Sequence, residues 1–315
     1  MSATFAATNA VGRVSAGNFV PELWSEEVLA AYKANLVMPQ LVTSLDFHGQ
    51  KGDTIHIPRP TRGSASAKAT ATAVTLIAES NTAFDLTIAT HFEYSRLIED
   101  IAKIQAMDSM RSFYTDDAGY ALATEVDDDV HELGAQFGGG STTAGTAYSK
   151  AVIGGDGTTL WSQAGSGNGT ALTDAGIRRA IQSLDDANVP SRSRALVVPP
   201  VEKRRLMGIA RFTEQAFVGE VAGSNTIRNG LIGDIYGVPV YVSTNVATVE
   251  ANDSTAYRAC LLLQKDAIVL AEQLSPRSQT QYKQEFLADL FTADQIYGLG
   301  LMRPEAGVAL MVPNA

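Results

Sequence analysis

The chain has 315 residues, 45% of them hydrophobic, enough apolar material for the core of one large domain or two medium ones, while a charged fraction of only 18% leaves much of its surface small and uncharged. A formal charge of −10 without any Lys/Arg block argues against sequence-directed DNA or RNA binding, which needs a basic footprint. The single Cys260, inside the run ACLLL, excludes an internal disulfide framework and reads as a small buried hydrophobe of a protein made in a reducing cytoplasm.

The opening residues MSATFAATNAVGRVSAG carry neither a basic leader nor an unbroken apolar stretch, so no secretory signal is expected. No run approaches the roughly 18 apolar residues of a membrane span, and no membrane association is expected. In NFVPELWSEEVLAAYKANLV, Pro21 suits a first helical turn, and Trp24, Val28, Tyr32 and Leu36 recur every four residues, predicting a short amphipathic helix. The pattern then switches to period two. Ile55 and Ile57 alternate with Thr54 and His56, and AFDLTIA repeats the alternation with Phe84, Leu86 and Ile88. Between these arms lies TRGSASAKATATAV, Thr61 to Val74, part of a tip of roughly 20 residues with almost nothing to bury; loops of that length are either functional or disordered.

Leu97, Ile101 and Ile104 predict a short helix. Met110, Phe113, Ala121, Val126, Val130, Leu133 and Phe137 then keep a helical beat over about 30 residues, about 45 Å of helix, with an acidic outer face and a local weak point at Gly119. From Gly138 to Thr170, Gly, Ser and Thr dominate, which reads as a long loop or surface insertion with Trp161 as its anchor. Thr173 caps a helix whose apolar stripe is Ile177, Ala180, Ile181 and Leu184. RALVVPP is a strand, and Pro200 begins a helix over VEKRRLMGIARF. Strands follow: a turn at Tyr236 and Gly237 before Val238, Val240 and Val242, then YRACLLL and AIVLAEQ as hairpin partners around Gln264 to Asp266, and finally GVALMV. The class is α+β, with one long helix and one long protruding hairpin.

Signatures of chemistry are sparse. HELGA at His131 begins like a zinc-protease helix, but Ala135 stands where the second histidine ligand is needed, so His131, Glu132 and Asp127 to Asp129 read as a solvated helix face. No glycine-lysine pair of a P-loop occurs, GSGNG at Gly165 follows no strand, and no Gly-x-Ser-x-Gly elbow is present. His48, His56, His91 and His131 sit in different segments. The adjacent carboxylates Asp116 and Asp117, and Asp185 and Asp186, diverge by about 100° on a helix and suit solvation. No catalytic, cofactor or metal site is expected. An arm and a loop that the chain cannot bury alone point to assembly.

In order along the chain, NFVPELWSEEVLAAYKANLVMPQLV, GLIGDIYGVPVYVSTNV and FTADQIYGLGLMRPEAGVALMVP resemble the major capsid proteins of tailed bacteriophages, with the Hong Kong 97-type shell fold. The resemblance covers Asn18 to Pro313. It implies an N-terminal arm (1–45), an extended loop made of a long β-hairpin (46–92), a peripheral domain with a spine helix (93–138), a Gly/Ser/Thr-rich loop or insertion (139–172), an axial domain (173–285) and C-terminal strands returning to the peripheral domain (286–315). The function it implies is self-assembly, as hexamers and pentamers, into the icosahedral head around a double-stranded DNA genome held without sequence-specific contacts. Implied partners are a separate scaffolding protein, a portal protein and a decoration or cement protein. Assembly would take place in the host bacterial cytoplasm, and the product would reside in the virion.

On that resemblance the loop tip lies over a neighbouring subunit, and Arg62, Lys68, Thr70, Thr72 and Val74, with Trp24 and Tyr32 of the arm, are the expected intersubunit contacts. Small residues let such a tip follow another backbone closely without an adhesive patch on the free subunit. Cross-linking members of the family join a loop lysine to an asparagine through a glutamate; nothing marks such a trio around Lys68, and self-cross-linking is not expected. The acidic balance suits a wall that does not hold packaged DNA. Two alternatives stand beside this reading: a cargo-enclosing nanocompartment of the same fold, and an enzyme whose site assembles from scattered polar residues.

Overall fold

Two sheets organise the chain in the computed structural model, which describes residues 36–48, 51–60, 63–74, 76, 81–100, 110–137, 152–209 and 233–314. The first sheet has four strands in the order β1 (Thr43–Asp46), β11 (Ile268–Lys283), β12 (Ala288–Leu301) and β4 (Thr90–Glu99). The second has seven. Its path runs β5 (Val152–Gly154), β13 (Gly307–Pro313), β10 (Ala256–Gln264), β6 (Arg194–Val198), β8 (Val238–Val242) and β7 (Asp234–Ile235), with β9 (Thr248–Glu250) also pairing β10. A separate antiparallel ribbon joins β2 (Thr54–Pro60) to β3 (Asn81–Thr87). The described helices are α1 (Met38–Leu41), α2 (Met110–Gly134), α3 (Asp174–Asp186) and α4 (Pro200–Met207).

β10 reads as a continuous apolar run because both of its faces are covered. Ala259, Leu261 and Leu263 meet Val126 and Val130 of α2, together with Trp161 and Phe137. Cys260 and Leu262 meet Ile177, Ala180 and Leu184 of α3 and Leu206 of α4 on the opposite side. Thr173 is the N-cap of α3, its hydroxyl accepting from the Gly176 N–H at 3.0 Å, a contact worth about 1 kcal/mol. The turn at Tyr236 and Gly237 forms as expected, both residues at positive φ (53° and 76°), so that β7 folds back on β8.

The four-stranded sheet is also covered twice. Ala118 and Leu122 of α2 pack on Phe291 and Ala293 of β12, with Phe92 and Tyr94 of β4 alongside. The Tyr94 hydroxyl donates to Asp117 at 2.8 Å and that of Tyr297 to Asp129 at 2.6 Å, which fixes α2 along the sheet. Across the other face lies the ribbon's base, with Leu86 and Ile88 against Val269 and Ala271.

Several expectations need correction. Leu97 belongs to strand β4, where Phe92 and Tyr94 alternate toward α2; Ile101, Ile104 and the arm helix around Trp24 and Tyr32 lie outside the described residues. YRACLLL and AIVLAEQ are not hairpin partners. The 3₁₀ turn Lys265–Ala267 carries the chain from one sheet to the other, so β10 pairs with β6, β9 and β13 while β11 pairs with β1 and β12. Within the stretch read as a loop, Val152–Gly154 is a buried strand parallel to β13, and Trp161 is buried as the anchor expected. Helix α4 ends at Met207, earlier than the VEKRRLMGIARF pattern implied.

Candidate assembly surface

The ribbon has the register that its sequence alternation predicts, with Ile55 opposite Leu86 and Ile57 opposite Phe84. Its base sits on the four-stranded sheet because β12 carries glycines beneath it. A Cβ on Gly298 would stand 2.7 Å from the Thr87 carbonyl oxygen, and one on Gly300 would stand 2.6 Å from the ring of Phe84. The GLGL of the sequence is therefore the seat of the hairpin. Further ties hold it: the Ile88 N–H donates to the Asp53 carbonyl at 2.7 Å, the Gln273 amide to the Gly52 carbonyl at 2.9 Å, and Arg59 lies 3.7 Å from Glu305.

Beyond Pro60 that support ends. Every residue from Gly63 to Val74 is exposed. Within the tip, the Thr72 N–H and hydroxyl both reach the Ala69 carbonyl, at 3.4 and 2.8 Å, around Ala71 at a φ of 62°. Lys68, Thr70, Thr72 and Val74 thus share one tip and face solvent in the lone subunit, while Arg62, Trp24 and Tyr32 lie outside the described residues. Sequence reasoning passed over Leu76, which is exposed beyond the tip, and Phe286 and Leu287, which are exposed at the turn between β11 and β12. The available signal was QEFLAD, two adjacent large apolar residues in a turn.

The polar residues of the body hold backbone. Asp127 and His131 are fully buried, so the expected solvated face is confined to Asp128 and Glu132. The Asp127 carboxylate accepts from the N–H groups of Val37 and Met38 at 3.1 and 2.9 Å and from the Asn245 amide at 3.1 Å, pinning the start of α1 to α2. Burial is what makes this carboxylate strong as a clasp, since three donors would lose their partner with it. His131, 3.7 Å from Asp127, is pushed down to about 4 by burial against the opposing pull of that carboxylate, and its ring is neutral at pH 7. Burial and the charges of Asp127, Glu125 and Asp129 raise Asp128 to about 6. Asp128 and Glu132 line an open groove of about 590 Å³ together with Glu250 and Arg258.

Other candidates resolve in the same way. Glu202, buried, accepts from the Leu172 N–H at 3.1 Å and pairs with Arg205, and Cys260 lies fully buried with its thiol pushed up by desolvation. Asp117 and Asp185 are taken by Tyr94 and Arg194. His48 and His56 each pair with an aspartate of their own segment or ribbon, and His91 reaches Asp294 on the sheet. Among the described residues, no three His, Cys, Asp or Glu side chains are grouped to hold a metal ion.

No protein-family model matches the chain, and no curated protein matches it. Solved structures do. Mycobacterium phage Che8 matches at 25% identity over 93% of this chain and 97% of that one, with a TM-score of 0.71. The capsid structure of the cyanophage P-SCSP1u matches at 18% identity over 95% and 94%, with a TM-score of 0.72. The capsid of Ralstonia phage GP4 matches at 15% identity over 93% and 95%, with a TM-score of 0.70. With the hairpin seated on one sheet, the long helix spanning both and the agreement running nearly end to end, the chain has the α+β fold of tailed-phage major capsid proteins.

Proposed function

We propose that the chain is the major capsid protein of a tailed phage, assembling into the icosahedral shell that encloses its double-stranded DNA. The observation that carries this is a capsid-protein fold matched over more than nine-tenths of the chain, bearing a loop tip whose described residues, 63–74, are all exposed. Ordering a residue costs about 1–2 kcal/mol, so a tip without partners gains order only when another molecule supplies them. A contact between unlike surfaces of identical copies closes into rings when the rotation closes, and rings of five and six suit an icosahedral shell.

In this reading α2 and the four-stranded sheet form the peripheral domain and the seven-stranded sheet with α3 and α4 forms the axial domain, which moves β11 out of the expected axial span 173–285 and β13 out of the C-terminal strands 286–315 expected to return to the peripheral domain. Lys68, Thr70, Thr72 and Val74, with Arg62, Trp24 and Tyr32, contact neighbouring subunits. A separate scaffolding protein, a portal and a decoration protein complete the set of partners, and assembly takes place in the host cytoplasm before the subunit becomes part of the virion. The role is structural: the buried carboxylates of Asp127 and Glu202 are spent on holding the backbone N–H groups of Val37, Met38 and Leu172.

Electron microscopy of the purified protein tests this. Closed shells, or hexamers and pentamers, are expected, with DNA in particles taken from an infected host. Discrete monomers or dimers at assembly concentrations would contradict the reading, and DNA-free particles filled with protein cargo would favour the nanocompartment.

A further inference from the structure

His48, His56 and His91 each meet an aspartate at an exposed position, while His131 is fully buried on α2 and neither of its ring nitrogens has a hydrogen-bond partner among the described residues. An unpaired polar group in the interior costs stability and calls for a reason. The reason lies 3.7 Å away, where Oδ2 of Asp127 faces Nε2 of the ring.

Asp127 joins three parts of the chain. Its Oδ1 accepts from the N–H groups of Val37 and Met38, at 3.1 and 2.9 Å, at the start of the four-residue helix α1, and its Oδ2 accepts from the Asn245 amide at 3.1 Å. Val37 gives α1 no side-chain cap, so Asp127 supplies one from another helix. α2 itself is fixed: the Tyr94 hydroxyl donates to Asp117 at 2.8 Å, that of Tyr297 to Asp129 at 2.6 Å, and Leu261 packs so closely that a Cβ on Gly134 would stand 2.6 Å from its side chain. A change at Asp127 therefore falls on α1 and on Asn245.

The charge acting on the ring is that of Asp127. Asp128 and Glu132, on the exposed side of α2, line the groove with Glu250 of β9 and Arg258 of β10, and Asp129 is taken by Tyr297. To the core at this end of α2, α1, β10 and β13 bring apolar side chains, Val37, Met38, Leu261, Leu263 and Met311. A neutral imidazole leaves the carboxylate to its three donors. A protonated one carries an N–H on both nitrogens and a charge that only Asp127 can answer. Turning Oδ2 toward Nε2 takes it from Asn245 and swings Oδ1 away from Val37 and Met38.

We infer that His131 is an acid-operated latch on Asp127: protonation of the ring draws the carboxylate from Val37, Met38 and Asn245 and frees the start of α1, within the segment read as the N-terminal arm. The latch is a property of the single subunit. It is closed at neutral pH and opens in acid.

Hydrogen exchange on the folded subunit between pH 7 and pH 4 tests this, read as protection relative to the intrinsic rate at each pH. In the closed latch burial holds the ring at about 4, against the ordinary 6.5 once it is released, so the closed form is fully stable above 6.5 and loses ground as pH falls. Opening is favoured about 20-fold more at pH 5 than at pH 7, and about 100-fold more at pH 4. The amides of Val37 and Met38 are expected to lose protection by those factors while those of Leu261 and Leu263 keep theirs. His131→Leu is expected to abolish the loss, and Asp127→Asn to leave both α1 amides poorly protected already at pH 7 and insensitive to acid. Constant protection at Val37 and Met38 down to pH 4, a loss shared equally by Leu261 and Leu263, or the same loss in His131→Leu each overturn the inference. Should His131→Leu not fold, the comparison of the two sets of amides in the wild type decides. The measurement needs no particles, so failure of the shell reading leaves its outcome unaffected.

Discussion

Two segments of nearly the same composition have opposite fates. Residues 63–74 and 155–172 are both built from Gly, Ala, Ser and Thr, yet the first is exposed throughout while the second is folded into the body. The difference lies in a few side chains. Trp161 is buried with its ring 4.6 Å from that of Tyr257, at right angles within 25°. Asp156 accepts from the N–H groups of Thr158 and Thr159, both at 3.1 Å, and Asn168 accepts from the Ser162 N–H at 2.8 Å while donating to the Leu160 carbonyl. Gln163 reaches the Glu250 carbonyl, and the Tyr257 hydroxyl reaches that of Ser166. One aromatic anchor and a set of side chains that replace water at the backbone are enough to order a loop against the cost of ordering it. The described tip, residues 63–74, has no aromatic residue, and among the described residues its side chains reach the backbone only from Thr72 to Ala69.

The largest effect follows from removing the anchor. Trp161→Ala is expected to destabilise the subunit by about 3–5 kcal/mol in denaturant unfolding, and Val74→Ala by nothing measurable. Comparable losses at the two sites would erase the contrast.

Acid sharpens it, because the titrating groups with buried partners are in the body. His131 has its pKa lowered to about 4, against 6.5 in an unfolded chain. Between those values the unfolded chain binds a proton that the native state refuses. Stability therefore falls as pH drops from about 6.5 toward 4, by about 3 kcal/mol in full. Asp128, raised to about 6, acts in the opposite sense over the same window, but its side chain is exposed and solvent screening reduces its share. The difference between the profiles of the wild type and His131→Leu isolates the histidine, and profiles of equal slope would show that His131 does not carry the acid response.

The smallest change in stability has the opposite sign. Leu287→Gly relieves the left-handed backbone and is expected to raise the stability of the free subunit by up to about 1 kcal/mol while weakening assembly. A loss of subunit stability together with normal assembly would mean that Leu287 serves the fold and not a partner.

Much of this architecture was legible because it is local. The alternation of Ile55 and Ile57 against Phe84 and Leu86, the Thr173 cap and the Tyr236–Gly237 turn each depend on residues a few positions apart and have the form their patterns predict, while α2 follows its beat only to Gly134, short of Phe137. What failed was non-local. Nothing near Gln264 to Asp266 distinguishes a hairpin from a crossing between sheets, because both flanking runs are apolar and their partners lie far along the chain, Pro313 of β13 opposite Tyr257 and Leu301 of β12 opposite Ile268. Asp127 and His131 looked solvated because their neighbours in sequence are acidic; both are buried, and Asp127 is met by Val37, Met38 and Asn245, which only the fold brings there. At the candidate surface the exposed tip was readable from its poverty of apolar residues. Phe286 and Leu287 were missed because a pair of large apolar residues between two strands looks the same whether it is buried or presented.

The central claim is that Thr61 to Val74 belongs to a neighbour's surface and not to the fold of its own subunit. Replacing that run with a two-residue turn leaves β2 and β3 their register partners and the seat at Gly298 and Gly300, so circular dichroism and thermal unfolding of the subunit are expected to be unchanged. Sedimentation of the same variant is expected to show folded subunits and no shells. Shells of normal yield and undiminished thermal stability would contradict the account and make the tip a mere linker.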